Sequence, residues 1–338
     1  MKAYVLESIG KLEYKDVEKP ILQEGWVLLK VKVAGICSSD IPRIFKKGTY
    51  HFPTIPGHEF CGEVVDVFDK NDSYLIGKRM GVFPLIPCKR CEYCKTGHYE
   101  MCKNYNYLGS RCDGGFAEYV AVPKWNLIEL PDAVSYMQAS ILEPFAVAHH
   151  AVSLTDLSKV RTASIIGTGA IGIFIAMILQ SKGIDVYLLA RNDGKRSLAL
   201  KCGIKNYINT AQGDDDIQYD LTFEAVGTNE SLIQTIKKTK SGGQILIVGN
   251  PYSDMVIPQD VYWQILRRQL TIIGTWNSKF ENCAQSDWSD ALDMIQSGKI
   301  DTEKLISHVF EQDKLVDALM LMRDHCAPYG RMVVKFND

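Results

Sequence analysis

Apolar and polar positions alternate from Val27 to Val33, the period of a strand with one buried face. A second strand-like run follows His58 in PGHEFCGEVV. The middle of the chain reads differently. TASIIGTGAIGIFIAMILQSKGIDVYLLA predicts a short apolar strand, a glycine-rich turn, an apolar helix, a glycine stop and another strand. Three later runs, YDLTFEAVGT, GGQILIVGN and LTIIGTW, continue the alternation expected of a parallel sheet. Near the end, WSDALDMIQSGK predicts a helix and RMVVKF a closing strand. The longest apolar stretch, Ile165 to Leu179, is interrupted by Gly167, Gly169 and Gly172, which argues against a membrane span.

At 338 residues the chain has room for about two domains, each with its own core. Its 38 basic and 40 acidic side chains leave a net charge of −2, too little to hold a nucleic acid or an anionic membrane. The first residues, MKAYVLESIGKLEYKD, lack the basic-then-apolar order of a signal peptide, so a cytoplasmic protein is expected. Ten cysteines are many for a reducing compartment, and their spacing decides what they mean.

Four of them, Cys88, Cys91, Cys94 and Cys102, form C-x2-C-x2-C-x7-C in a polar, loop-like lobe. That spacing suits one tetrahedral zinc with a closed, structural shell. Disulfides and an iron–sulfur cluster are the rivals, but adjacent x2 spacings fit paired bridges poorly, and only one such run exists. Cys37 directly follows the alternating strand, and His58 with Glu59 lies 21 residues further on. Cys, His and a carboxylate are the ligand types of a catalytic zinc, although a distant Cys and His taken alone are more often ordinary core residues. Cys61, Cys112, Cys202, Cys283 and Cys326 read as ordinary thiols.

Gly167, Gly169 and Gly172 sit in the strand, turn, helix and strand context of a dinucleotide fingerprint. Gly167, Gly169, Ala170, Ile171 and Gly172 are therefore candidate cofactor contacts, with Val226 and Gly227 on the turn of a later strand. The second strand ends at Ala190 and Arg191, where an NAD site carries an acid for the ribose hydroxyls. Arg191 could instead pair with a 2′-phosphate, which favours NADP, while Asp193 keeps NAD open.

The order Cys37-x-Ser39-Asp40, Gly57-His58-Glu59, the four-cysteine lobe, GGFAEYV from Gly114, Leu142-Glu143-Pro144 and the glycine fingerprint resembles the zinc-dependent medium-chain alcohol and polyol dehydrogenases. Within that family CSSDIPRIF, LEPFAVAHHA and GTWNS are most similar to the branch acting on polyol phosphates. The resemblance implies an α/β protein: a GroES-like, strand-rich catalytic domain over 1–146 and 280–338, and a Rossmann doubly wound parallel sheet over 147–279. It implies two zincs per subunit, a nicotinamide cofactor and a homodimer or homotetramer.

By the same resemblance Cys37, His58 and Glu143 match the catalytic-zinc ligands, and Glu59 either completes the shell or lies just behind it. Asp40 matches the carboxylate that orients the imidazole, and Ser39 the hydroxyl that passes the alcohol proton onward. Some relatives end that relay in a histidine where this chain has Pro42, so solvent, cofactor ribose or His51 would take the proton. Arg43, Lys46 and Lys47 follow the zinc cysteine and are candidate phosphate clamps, with Trp276 and Asn277 as candidate substrate contacts. The implied reaction is hydride transfer between a secondary alcohol of a polyol phosphate and NAD(P). An unphosphorylated polyol or simple secondary alcohol is the alternative substrate, and a non-catalytic nucleotide-binding scaffold the remote one.

Overall fold

The alternation at Val27 to Val33 belongs to the strand Trp26–Ile36, whose last four residues are buried on both faces. The structure, a computed structural model, describes residues 1–213, 217–282 and 284–337; Cys283 lies outside them. Trp26–Ile36 is central to a seven-stranded sheet. In order across that sheet run Ile306–Glu311, Arg331–Lys335, Trp26–Ile36, Glu59–Val67, Arg79–Val82 and Leu127–Glu129, and Tyr119–Pro123 also pairs with Trp26–Ile36. Only the first pair is parallel.

Register, more than any single motif, assembles the site. Gly35 pairs with Glu59 and Ile36 with Met332, so the chain leaves one strand at Cys37 beside the point where it enters the next at His58 and Glu59. Arg331 precedes Met332 and arrives at the same end of the sheet. Gly35 is needed there because a Cβ would lie 2.6 Å from Glu59 Oε2 and 2.8 Å from the Ser140 carbonyl. Beneath the sheet, Leu29, Val31, Phe60, Val64, Phe116, Leu319 and Val334 share one apolar core.

This sheet belongs to a compact unit of Met1–Glu143, Lys279–Gln296 and Ile306–Asp338. Phe280 and Trp288 hold the second of these segments, with ring centroids 4.7 and 5.8 Å from their partners Phe83 and each other. The other unit comprises Pro144–Ser278 and Ser297–Leu305. These bounds stand apart from the expected ones, by one residue at Lys279 and by more elsewhere. The first unit closes at Glu143 rather than residue 146, and 297–305, assigned from sequence to the catalytic domain, joins the second unit. Ile300 and Leu305 bury themselves there, and the turn Thr302–Leu305 packs on the helix Arg196–Lys201.

The second unit is built on a six-stranded, wholly parallel sheet. Its spatial order is Asn206–Asn209, Asp185–Ala190, Thr162–Ile166, Tyr219–Glu224, Thr239–Ile247, Thr271–Gly274, which is the 3-2-1-4-5-6 order of a dinucleotide-binding sheet. The strand Asn206–Asn209 was not anticipated, since NYIN is too short to carry a period. The apolar run after the fingerprint forms the helix Ala170–Ser181, and it ends at Gly183, whose φ of 81° a side chain would resist. Among the described residues no helix is long and apolar enough to cross a membrane.

Candidate functional site

The turn that presents His58 is braced by the GGF motif. Gly114, Gly115 and Phe116 donate their N–H groups to the carbonyls of Ile55, Gly57 and Pro56 at 2.8, 2.8 and 3.0 Å. Gly57 adopts φ 94°, and a Cβ on it would strike the Phe116 ring at 2.6 Å. The motif therefore locks the direction in which the imidazole leaves the chain.

Cys37, His58 and Glu59 each turn one ligand atom inward, all within 4.8 Å of one another. His58 Nε2 faces Glu59 Oε1 at 4.0 Å, while Nδ1 points to Asp40 Oδ1 at 3.5 Å, too long for a formed hydrogen bond. Asp40 is wholly buried, accepts the Cys37 N–H at 3.0 Å and pairs with Arg43 Nη1 at 2.7 Å. One carboxylate thus ties the Cys37 loop to Arg43 and sets its charge beside the His58 ring. The second oxygen of Glu59 contacts the buried Arg331 guanidinium.

Glu59 Oε1, the oxygen turned away from Arg331, is buried without a hydrogen-bond partner, an arrangement that is costly unless a cation compensates it. The charges agree. Burial would push the Cys37 thiol up, but His58 beside it pulls it down to about 6. Burial would likewise lower His58, yet Asp40 and Cys37 raise it to about 10. The centre is rich in anionic donors and of mixed thiolate, imidazole and carboxylate type, which fits zinc.

Glu143, expected as the third ligand, is buried close by but stands outside the 4.8 Å set formed by Cys37, His58 and Glu59. Its Oε1 accepts from the Tyr107 hydroxyl at 3.4 Å, and burial raises its carboxyl to about 7. The Tyr107 ring also lies 5.8 Å from the His58 ring. Tyr107 and Arg331 were both missed from sequence. Tyr107 sits in the two-residue strand Asn106–Tyr107, too short to show a period, and Arg331 was hidden at the head of an apolar strand nearly the whole chain away from Cys37.

The second cluster is the four-cysteine lobe. Sulfur–sulfur separations are 4.0 Å for Cys88–Cys94, 3.5 Å for Cys91–Cys94 and 4.0 Å for Cys91–Cys102. A tetrahedral ion with ~2.3 Å bonds to sulfur sets its ligands ~3.8 Å apart, whereas a disulfide needs about 2 Å. All four are free thiols and fit a single ion. Cys88 and Cys91 come from the loop, Cys94 from the single helical turn Glu92–Lys95, and Cys102 from the end of the turn Tyr99–Met101.

In the second unit Gly169 caps the helix Ala170–Ser181, and a Cβ built on it meets nothing within 4 Å. Gly172, by contrast, packs so closely that its Cβ would lie 2.2 Å from the Gly167 carbonyl. One glycine leaves open space over the helix N-terminus where Ala170 and Ile171 begin, and the other seats helix on sheet, as a pyrophosphate cradle requires. Val226 and Gly227 form the turn after Tyr219–Glu224. Arg191 is exposed immediately past the strand Asp185–Ala190. Asp193 is engaged by Arg196 at 2.6 Å and by Asn209 Nδ2 at 3.0 Å.

Two families match the chain: the alcohol dehydrogenase GroES-like domain over residues 23–132 and the zinc-binding dehydrogenase over residues 170–297. L-threonine 3-dehydrogenase of Vibrio vulnificus (strain YJ016) is 30% identical over 324 residues, covering 91% of each chain. The chain belongs to the zinc-dependent medium-chain dehydrogenases. Galactitol 1-phosphate 5-dehydrogenase of Escherichia coli K12 is 29% identical to this dehydrogenase over 321 residues, 91% of this chain and 92% of that one. The crystal structure of galactitol-1-phosphate dehydrogenase from Escherichia coli superposes with a TM-score of 0.90 at 27% identity, over 99% of this chain and all of the other. The protein is a zinc-type alcohol or polyol dehydrogenase linked to NAD(P).

The remaining expected residues of this dehydrogenase divide clearly. Ser39 is half-buried, two residues past Cys37. Arg43 is committed to Asp40, whereas Lys46 and Lys47 are exposed. His51 is exposed and held within its own surroundings, Nδ1 against the Pro53 carbonyl at 3.0 Å and Nε2 against the Arg111 carbonyl at 3.3 Å. Trp276 is exposed in the second unit, and Asn277 turns its Oδ1 back onto the Ser278 N–H at 2.9 Å.

Proposed function

We propose that this dehydrogenase interconverts a secondary alcohol of a polyol phosphate and the corresponding ketone, with one zinc at Cys37, His58 and Glu59, a second at Cys88, Cys91, Cys94 and Cys102, and NADP preferred over NAD. The observation that supports it most is the convergence of the Cys37, His58 and Glu59 ligand atoms, with Glu59 Oε1 buried and lacking a hydrogen-bond partner. When bound, zinc supplies a Lewis acid for the substrate oxygen, and the nicotinamide accepts or returns the hydride.

The chain's own groups do the rest. Asp40 holds the Cys37 loop and steers the imidazole so that Nε2 faces the donor set. Arg331 fixes one oxygen of Glu59 and leaves the other for the metal. Glu143 waits behind the Tyr107 hydrogen bond as an alternative carboxylate. Ser39 takes the alcohol proton on oxidation and returns it on reduction. Pro42 offers no onward acceptor and His51 is bound within its loop, so the proton leaves Ser39 toward solvent or the cofactor ribose.

Support for NADP comes from Arg191, exposed at the strand end, together with Asp193, whose carboxylate is already occupied by Arg196 and Asn209. Lys46 and Lys47 remain for a substrate phosphate. The commitment of Arg43 to Asp40 favours a second reading, an unphosphorylated polyol or simple secondary alcohol. A homodimer is supported by the outermost strand Thr271–Gly274, which exposes Ile272, and by Trp276 beyond it; edge-to-edge pairing about a two-fold axis would cover such an edge. The nine described cysteines are all free, in keeping with a reducing cytoplasm.

A spectrophotometric screen of sugar alcohols against their phosphates, each with NAD and NADP, tests this. Turnover of phosphorylated polyols at least tenfold above the free polyols is expected, whereas equal kcat/KM for the two would remove the phosphate from the proposal.

A further inference from the structure

Glu224 ends the strand Tyr219–Glu224 wholly buried, and nothing in the proposed chemistry uses it. Its Oε1 accepts the main-chain N–H groups of Val226 and Gly227, each at 2.9 Å. Its own carbonyl accepts those of Val248 and Gly249 at 2.8 and 3.0 Å. The second carboxylate oxygen, Oε2, is buried without a hydrogen-bond partner and lies 2.4 Å from where a Cβ on Gly249 would stand. Burying a carboxylate in this way is costly, and an apolar or amide side chain would fill the same space more cheaply if packing were its only task.

What the carboxylate holds is the turn 225–227. Gly227 adopts φ 87° so close to the next turn that a Cβ would lie 2.1 Å from the Asn250 carbonyl. On the other side, a Cβ on Gly167 would lie 2.8 Å from both the Ala225 carbonyl and Val226 Cγ2. The turn therefore sits wedged between the fingerprint glycine and the turn at 249–250, at the carboxyl ends of three neighbouring strands where such sheets receive a dinucleotide. Charge-assisted bonds from the two N–H groups set the direction of that main chain.

We propose that Glu224 is a positioning residue of the dinucleotide site: it preforms the Val226–Gly227 turn against Gly167, so that the cofactor does not have to order it on binding. The proposal rests on the reading of Gly167–Gly172 as the cofactor cradle. Preorganisation of this kind acts on affinity and not on the chemical step.

The test titrates NADPH and NADH by fluorescence into the metal-loaded wild-type enzyme and into Glu224→Gln and Glu224→Asp, with hydrogen exchange read on the peptide spanning 224–228. Glu224→Gln is expected to bind the preferred dinucleotide about tenfold more weakly, the scale of losing charge assistance from a buried bond pair. Its KM for that dinucleotide should rise in proportion while the KM for the alcohol and the zinc content hold, and the Val226 and Gly227 amides should lose protection. Glu224→Asp keeps the charge one methylene short and should fall between the two, which also decides the matter if the glutamine variant does not fold. Wild-type affinity and wild-type protection in the substituted enzyme would overturn the role given to Glu224. A wild-type enzyme that bound neither NADPH nor NADH would overturn the cofactor reading beneath it.

Discussion

Arg331→Met isolates the charge balance of the metal centre. Arg331 and Glu59 have side chains only 6% and 1% exposed and meet directly, so the substitution leaves a buried carboxylate without its cation. Breaking a buried pair from one side costs about 3–5 kcal/mol. The lower part of that range applies here, because Glu59 Oε1 still faces His58 Nε2 at 4.0 Å. In protein stripped of zinc this corresponds to a fall of roughly 10 °C in the unfolding of the unit built on the seven-stranded sheet. With zinc bound the ion neutralises the same carboxylate, and most of the loss should disappear. Differential scanning calorimetry of wild type and Arg331→Met, each with chelator and with zinc, reads this directly. An equal deficit with and without zinc would refute the idea that Arg331 and the metal share Glu59.

Three further outcomes are expected. Cys37→Ser should lose one of two zincs and nearly all turnover at little change in melting temperature, whereas Cys91→Ser should lower the melting temperature first; metal analysis beside calorimetry separates them. Arg191→Ala should raise the KM for NADPH about tenfold and leave that for NADH unchanged, and equal effects on both would end the 2′-phosphate assignment. Asp220 is held down to about 2 although burial works against it, because Lys240 and the N–H groups of Thr162 and Arg161 bind its charged form. Its folded pKa lies below its unfolded one, so its contribution is complete above pH ~4 and is lost as pH falls toward ~2. Discounted for the half-exposed Lys240, that contribution is about 1 kcal/mol, and denaturation of Asp220→Asn should show a flatter acid limb than wild type.

The local features were legible in the chain because their physics is local. Four thiols within fifteen residues can close on one ion without help from the rest of the fold, and strand, glycines and helix follow one another in the order in which they bind phosphate. The meeting of Cys37 with His58 is a different matter. It depends on an antiparallel register, Gly35 against Glu59, and was readable only through resemblance to a known family. Arg331 reaches the same point through the pairing of Met332 with Ile36, a contact that no window of sequence contains. The Tyr107 hydroxyl that meets Glu143 at 3.4 Å comes from a two-residue strand, Asn106–Tyr107, too short to carry a periodic signal. The grouping of residues 297–305 with the second unit was not legible, because Ile300 and Leu305 do not say which of two cores will bury them.

The central claim is that the converging donors Cys37, His58 and Glu59 hold a zinc on which dinucleotide-linked alcohol oxidation depends. It is tested most directly by the rate of NAD(P)H formation from an active polyol or polyol phosphate before chelation, after removal of the catalytic ion and after its return as zinc. Activity should vanish with the ion and come back with one equivalent of zinc; a rate untouched by removal of metal from Cys37, His58 and Glu59 would contradict the account.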